Sequence, residues 1–491
     1  MSALRHLLIL LAIVLTGAGL RFSALGQDRR FHPDEALFST FAREAALGGH
    51  WNLAGDLDKP PLAIYASAIA MALTAARQNE AGVLDFSVRH GEFAARLPGT
   101  LIGVLLILTL YRLAASLYAN RDFALVAALF AALSPLAIAF SATAFTDALM
   151  LPLMTLSLWM AVERRWRWSG LWLGLAFASK QQALVYLPLA LALGWALGGL
   201  RLEHLKRFFA AFGAVALLLI LWDALRPGPS FWALGAANNT PDRFIRSDEL
   251  GPRLIRWGSF MPSLLGAPTA LFMLVIPLAL ANRIHRHISQ RETIVDLVLT
   301  SLCLIYALAH WLIAFNTYDR YLLPLLPPFI LLSARAGAAL WQWLAGRIST
   351  GERTLAAGVV VIAMIVSAFE ASAFRLGYPQ ENSSFADYRG IDALAATLNE
   401  TALGAIIYDH WLNWQLGYYM GQWSNKRRVY YPDPAALARD AAADADPAPR
   451  YFPAPAAEPL DRWLEALAAA GFESERIYLQ DGWTIQRLRR P

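Results

Sequence analysis

The sequence predicts an α-helical polytopic membrane protein followed by a small α/β domain. Three observations predict it. Of the 491 residues, 57% are hydrophobic and only 16% charged, with a mean hydropathy of +0.41; ordinary soluble domains carry about 25% charged residues. Apolar runs of spanning length recur from the N-terminus to about residue 373. Beyond 375 the runs stop and short segments of mixed period take over.

A run of roughly 17–25 predominantly apolar residues is enough to cross a bilayer. Candidate spans lie near 4–22, 97–118, 122–140, 147–163, 167–179, 183–199, 207–225, 264–282, 293–314, 321–341 and 354–373. The first has Arg5 before it and continues past Gly17-Ala18-Gly19 to Arg21. It reads as an uncleaved anchor, with a cleavable signal peptide as the alternative. The 17 tryptophans suit interfacial belts. The single cysteine, Cys303, excludes a disulfide or a cysteine metal site within the chain. The net charge of +5 reports orientation rather than affinity for nucleic acid, and no nucleic-acid partner is expected.

Charge decides whether the ambiguous stretch 61–76 crosses. Four short basic turns hold Arg164, Arg165 and Arg167; Arg201, Lys206 and Arg207; Arg283, Arg286 and Arg291; and Arg347 with Arg353. Short basic turns belong in the cytoplasm. With the N-terminus inside, all four fall there only if 61–76 does not cross, so it reads as an interfacial helix. About eleven spans result, with an outer C-terminus. The segments 23–96, 141–146, 226–262 and 315–320 then face outward. They gather Asp34, Glu35, Asp58, Lys59, Arg96, Asp147, Arg243, Arg246, Asp319 and Arg320 at or near one face. Charges beside the hydrocarbon are costly and mark function or pairing.

The expected domains are a membrane domain over 1–374, with a first outer loop at 23–96, and an extracytoplasmic α/β domain over 375–491. Within the latter, 387–398 and 460–470 read as amphipathic helices. The stretches 405–408, 428–431, 450–452, 472–479 and 483–488 read as strands, and the Ala-, Asp- and Pro-rich 442–457 as a loop. No internal repeat is evident, which speaks against an inverted-repeat transporter.

Each polar candidate has a structural and a chemical reading. Pro33, Asp34 and Glu35 suit a helix N-terminus, where acidic groups complement the dipole; a carboxylate there could also serve as a general base. Lys59, ahead of Pro60-Pro61, is either a snorkelling lysine or a phosphate cation on a stiffened backbone. Arg320, in Tyr318-Asp319-Arg320-Tyr321-Leu322-Leu323-Pro324, is either an interface anchor paired with Asp319 or a bidentate phosphate ligand. Asp147, in Phe145-Thr146-Asp147-Ala148, is either a cap or a site residue. Lys180 is either an interface lysine or a site lysine. His32, His50, His310 and His410 show no two-ligand spacing. If a divalent metal binds, Asp34, Asp58 and Asp147 are its candidate ligands; no other cofactor is indicated.

These residues, taken in order, resemble a known family. Asp34-Glu35, Arg43, Trp51, Asp58-Lys59-Pro60-Pro61-Leu62 and Glu92-Phe93-Ala94-Ala95-Arg96-Leu97-Pro98 resemble the first outer loop of the C-type membrane glycosyltransferases. The nearest branch is glycosyltransferase family 39, which includes the lipid A aminoarabinose transferases and the protein O-mannosyltransferases. Further matches are Ala144-Phe145-Thr146-Asp147-Ala148-Leu149, Leu175-Ala176-Phe177-Ala178-Ser179-Lys180 and the run from Asp319 through Pro328. The resemblance covers about 10–340. It implies the C-type fold with interfacial helices in the first loop, a polyprenyl-phosphate sugar donor, and a lipid, glycan or protein acceptor. It implies that Asp34 is the base and Asp147 the second site aspartate. Lys59 would hold the donor phosphate, aided by Arg320 and Arg96. Glu35, Asp58, Lys180 and His32 are further site candidates. Asp58 stands where relatives can have glutamate, and Gln181-Gln182 stands where they often have Gly-Pro. No β-trefoil repeat of the eukaryotic protein mannosyltransferases is present, which speaks against a protein acceptor.

The expected reaction is transfer of one sugar to an acceptor hydroxyl outside the membrane, with inversion. The rivals are a lipid or sugar transporter, a non-catalytic membrane assembly protein, and a same-fold polymerase or ligase using diphosphate-linked oligosaccharides. Acceptor choice is expected to rest on 226–262, with Trp232, Asn238, Asn239 and Arg243, and on the C-terminal domain.

Overall fold

A computed structural model describes residues 3–373 and 388–490. The expected domain boundary at 374–375, and the first residue of the helix expected over 387–398, lie outside the described residues. Every one of the eleven apolar runs is helical. They form α1 (Ala3–Leu25), α4 (Val88–Tyr118), α5 (Arg121–Leu133) with α6 (Pro135–Ser141), α7 (Asp147–Val162), α8 (Trp166–Ser179), α9 (Tyr186–Ala196), α10 (Leu202–Leu225), α13 (Thr269–His287), α14 (Arg291–Leu312), α15 (Leu326–Leu344) and α16 (Thr350–Ser372). The first loop adds α2 (Pro33–Gly48) and α3 (Leu62–Ala70); the segment 226–262, expected as a loop, contains α11 (Phe231–Asn239) and α12 (Leu250–Phe260).

Six of the described helices are long and apolar enough to cross a membrane, or seven if the bent pair α5–α6 is one span. The expected eleven crossings are thus eleven helical runs of unequal length. The short ones include Asp147–Val162 and Gln181–Ala196. The interfacial candidate is Leu62–Ala75, whose 14 residues rise only ~21 Å at 1.5 Å each. That is short of the ~30 Å hydrocarbon core. The 56° bend between α5 and α6 has a local cause. Ser134 accepts from the Ala137 N–H and Pro135 opens the new helix, so the backbone restarts there.

The chain forms two compact units. The first comprises Met1–Gln27, Asn52–Ser67 and Arg96–Glu381. In it α7 and α8 form a tight antiparallel hairpin and α10 lies against α8, while α1 packs on α5, α6 and α16. Gly170 lets α8 touch the α10 backbone: a Cβ there would sit 2.1 Å from the Phe208 carbonyl oxygen. Buried Leu, Ala and Phe side chains make this core, consistent with the small residues that close helix packing in lipid requires.

The second unit comprises Asp28–Trp51, Ala68–Ala95 and Asn382–Pro491. Its C-terminal part holds strands β1 (Ile406–Asp409), β2 (Arg427–Tyr430), β3 (Arg450–Pro455), β4 (Glu473–Gln480) and β5 (Trp483–Arg489), in the sheet order β2-β1-β3-β5-β4. The first three run parallel and the last two pairings are antiparallel. Helices α17 (Ile391–Asn399), α18 (Asn413–Tyr419), α19 (Pro434–Ala443) and α20 (Asp461–Ala469) accompany it. The strand expected at 450–452 runs on to Pro455 as β3, into the stretch 442–457 otherwise expected as a loop, despite Pro453 and Pro455. Both prolines lie beyond the two-residue pairing of β3 with β1, where a missing N–H breaks no ladder bond on that edge. In this unit α2 packs against α18.

Candidate active site

The candidate residues divide between the two units. In the second, the chain enters α2 through a capping box. The His32 ring accepts from the Asp34 N–H at 3.2 Å, and the Glu35 carboxylate accepts from the His32 N–H at 3.1 Å. Pro33 occupies the first turn, where its missing N–H costs nothing. Gly49 closes the helix at φ 71°, the left-handed C-cap that glycine adopts without strain. Asp34 is half-buried, while His32 and Glu35 are buried. Glu35 and His32 therefore act on the backbone, and Asp34 is the member of the acidic pair that the capping box does not consume.

The segment before α2 is held from far along the chain. The Tyr419 hydroxyl accepts from the Phe31 N–H at 2.6 Å and donates to the Glu92 carboxylate at 2.6 Å. Gln415 donates to the Phe31 carbonyl at 2.6 Å. Arg30 reaches Asp392 at 3.1 Å and Glu92 at 3.5 Å. Arg43 donates to the Tyr418 and Gly417 carbonyls, which ties α2 to α18. Sequence reasoning missed Gln415, Tyr419 and Asp392. They are polar residues of unremarkable local context whose partners are hundreds of positions away.

The first unit holds the cations. Lys180 leaves α8 in extended conformation and donates to both oxygens of Asp147, at 2.7 and 2.9 Å, in a buried pair. Thr146 makes no side-chain cap, so Asp147 serves an ion pair rather than a helix end. The break expected at Ser179-Lys180-Gln181-Gln182 is real: a 3₁₀ turn over Gln181–Val185 separates α8 from α9. Burial lowers the Lys180 pKa; Asp147 opposes the shift, and Arg320 and Lys59 press it further down. Those last two influences put Lys59 and Arg320 each within electrostatic reach of Lys180. Lys180 also lies 5.5 Å from the Tyr321 ring centroid.

Lys59 donates to its neighbour Asp58 at 2.5 Å and stands 3.5 Å from Asn239 Oδ1, both side chains being largely covered. Gln181 reaches the Asp58 carbonyl at 3.3 Å. A Cβ on Gly235 would sit 2.9 Å from that same carbonyl, so glycine there lets α11 close over the Lys59 stretch. Upstream, buried Arg226 donates to the Leu53 and Gly55 carbonyls and pairs with Asp223 at 3.2 Å, pinning the approach to Lys59. Sequence reasoning missed Arg226 as well.

Arg320 stacks its guanidinium over Phe145 at 5.1 Å and Tyr318 at 4.5 Å. Asp319 accepts from the Arg320 backbone N–H at 2.7 Å. Tyr186 donates to the Pro324 carbonyl and fastens this turn. Arg96 is buried at the α4 turn whose Thr100 donates to the Ser141 carbonyl, so α4 adjoins the segment leading to Asp147. Trp232, half-buried, packs on Phe177 and Phe231.

The three aspartates proposed for a metal fit one poorly. Asp147 spends both oxygens on Lys180 and Asp58 spends one on Lys59. No group of three or more His, Cys, Asp or Glu in ligand geometry occurs among the described residues. What the first unit offers is a cationic cluster suited to a phosphate group.

A sequence profile of the family described as dolichyl-phosphate-mannose-protein mannosyltransferase matches residues 58–223. Curated protein sequences yield no match. The crystal structure of ArnT from Cupriavidus metallidurans bound to undecaprenyl phosphate superimposes with a TM-score of 0.60 at 14% identity, covering 99% of this chain and 98% of that one. The Archaeoglobus fulgidus oligosaccharyltransferase, in its apo form, matches with a TM-score of 0.59 at 13% identity over 98% of this chain and 74% of that one. A third match is the oligosaccharyltransferase AglB of Archaeoglobus fulgidus with an inhibitory peptide and a dolichol-phosphate, at a TM-score of 0.58 and 13% identity over 98% of this chain and 74% of that one. The protein is therefore an integral membrane protein with the C-type glycosyltransferase fold, and its sequence resembles that of glycosyltransferase family 39.

Proposed function

We propose that the protein transfers a single sugar from a polyprenyl-phosphate carrier to an acceptor hydroxyl on the extracytoplasmic side of the membrane. The observation that carries this reading is the buried Lys180–Asp147 pair with Lys59 and Arg320 within electrostatic reach of Lys180, set at the ends of apolar helices. Cations placed at a membrane boundary suit a phosphate whose lipid tail stays in the bilayer. The similar ArnT structure holds undecaprenyl phosphate, which supports the same class of donor.

In this mechanism the acceptor oxygen attacks the anomeric carbon while Asp34 takes the hydroxyl proton. The bond from that carbon to the phosphate oxygen breaks, and its electron pair leaves with the polyprenyl phosphate. Lys59, Arg320 and Arg96 stabilise the departing phosphate, the point at which preorganised charge acts most strongly. Lys180 holds Asp147 in place beside those cations. A single displacement inverts the anomeric centre. The basic turns support an orientation with a cytoplasmic N-terminus, in a bacterial inner or plasma membrane. The acceptor is a lipid, glycan or protein hydroxyl.

The decisive experiment assays Asp34→Asn with a radiolabelled polyprenyl-phosphate sugar and extracted membrane acceptors. Transfer should fall by roughly 10²-fold or more, the scale of a lost general base, with protein yield unchanged. Near-normal turnover would remove Asp34 from the reaction.

A further inference from the structure

We propose that the turn joining α7 and α8 is a binding site for the phosphate headgroup of an anionic membrane phospholipid. The hairpin has two chemically different ends. One carries the Asp147–Lys180 pair, and the other, ~24 Å away along the 16 residues of α7, carries Arg164, Arg165 and Arg167. At this second end a cavity of about 310 Å³ is lined by those three arginines with Trp166, His204 and Arg207. It falls at the lower end of the ~300–1,000 Å³ of small-molecule sites.

The local backbone turns its charges into the cavity wall. Arg164 takes φ 60° at the end of α7, and the Arg165 N–H closes the turn onto the Met160 carbonyl at 2.8 Å. α8 then starts at Trp166 without a side-chain cap, so its opening N–H groups add to the positive end. Trp166 is buried and stacks on His204 with ring centroids 5.9 Å apart. Its indole N–H, also buried, has no hydrogen-bond partner. His204 bonds through Nδ1 to the Gly199 carbonyl at 2.5 Å, which leaves Nε2 for another group.

The acids nearby do not neutralise this set. Glu203 pairs with Arg207 at 3.0 Å on the exposed surface, where such pairs contribute little. Glu163 accepts from Ser116, and neither glutamate lines the cavity. Among the described residues no carboxylate pairs with Arg165 or Arg167. Trp168, half exposed, also lines the cavity, at the kind of position interfacial tryptophans take. A basic recess between membrane helices, edged by an interfacial indole, is the chemistry that holds anionic lipid headgroups.

The test titrates the intact protein in detergent with phosphatidylglycerol and with phosphatidylcholine, read by native mass spectrometry. Phosphatidylglycerol should bind at least tenfold more tightly. Replacing Arg165→Ala with Arg167→Ala should abolish that preference. Arg165→Gln with Arg167→Gln repeats the test should the first pair melt early. The pair Arg286→Ala with Arg347→Ala removes equal charge from two other basic turns and should leave the preference intact. Equal loss in both pairs, or no preference in the unaltered protein, would overturn the proposal. Displacement of the lipid by inorganic phosphate at millimolar concentration would assign the recess to a soluble anion and overturn the lipid reading. None of these readouts depends on sugar transfer.

Discussion

The first unit contains two lysine–aspartate pairs, and they differ in kind. Lys180 and Asp147 come from opposite strands of a helical hairpin, 33 residues apart, with both carboxylate oxygens engaged and both side chains buried. Lys59 and Asp58 are sequence neighbours with one contact, partly open, and flanked by Asn239 at the limit of hydrogen bonding. A buried pair that bridges two helices is a lock: breaking it leaves a charge stranded in low dielectric. A neighbour pair is a parking place. In the proposed reaction Lys59 would exchange Asp58 for a phosphate oxygen with no change of backbone. The difference teaches that two identical residue pairings can differ in how firmly each holds its lysine.

The largest expected effect comes from breaking the lock. Asp147→Ala strands Lys180 and should cost about 3–5 kcal/mol of stability, read as an early thermal transition in detergent. A transition matching the unaltered protein would show that water reaches Lys180 and that the pair is no lock. The double change Asp147→Leu with Lys180→Met removes both charges, so it should recover most of that loss, because buried pairs replaced by apolar residues of similar size are close to neutral. Turnover should stay low in the double variant. The smallest stability effect belongs to Lys59→Ala, at most about 1 kcal/mol. Its signature is kinetic: KM for the donor should rise about tenfold or more while KM for the acceptor holds. A matching rise in both would place Lys59 with the anchors.

Much of this was readable in the residues themselves. Hydropathy located the eleven long apolar helical runs, and Pro33 with Glu35 announced a helix start whose capping box the structure contains. Charge read from the four basic turns kept 61–76 out of the count of spans; its helix, Leu62–Ala75, is of much the same length as Asp147–Val162 and Gln181–Ala196, so length alone does not set it apart. Span number was less readable, because apolar composition does not distinguish a helix that crosses from one of 16 residues that stops at a polar cluster. The α19 helix escaped notice although Asp433 caps it and Pro434 opens it, since Ala, Asp and Pro together also spell a loop. The lock itself was invisible: Asp147 and Lys180 are each plausible caps or anchors, and only the hairpin reveals them as partners. The same holds for Tyr419 and Gln415, whose meaning lies entirely in the Phe31 backbone they grip.

That grip has a temporal consequence. Phe31 and Tyr419 are 388 residues apart, so at ~5–20 residues per second the ribosome needs about 20–80 s to deliver the second after the first. Throughout that interval the helix bearing Asp34 lacks α18, the tyrosine and the glutamine that brace its entry. A chain interrupted before residue 413 would carry every cation of the first unit and an unbraced Asp34 helix. In order of synthesis, the cations of the first unit precede the residues that brace the Asp34 helix.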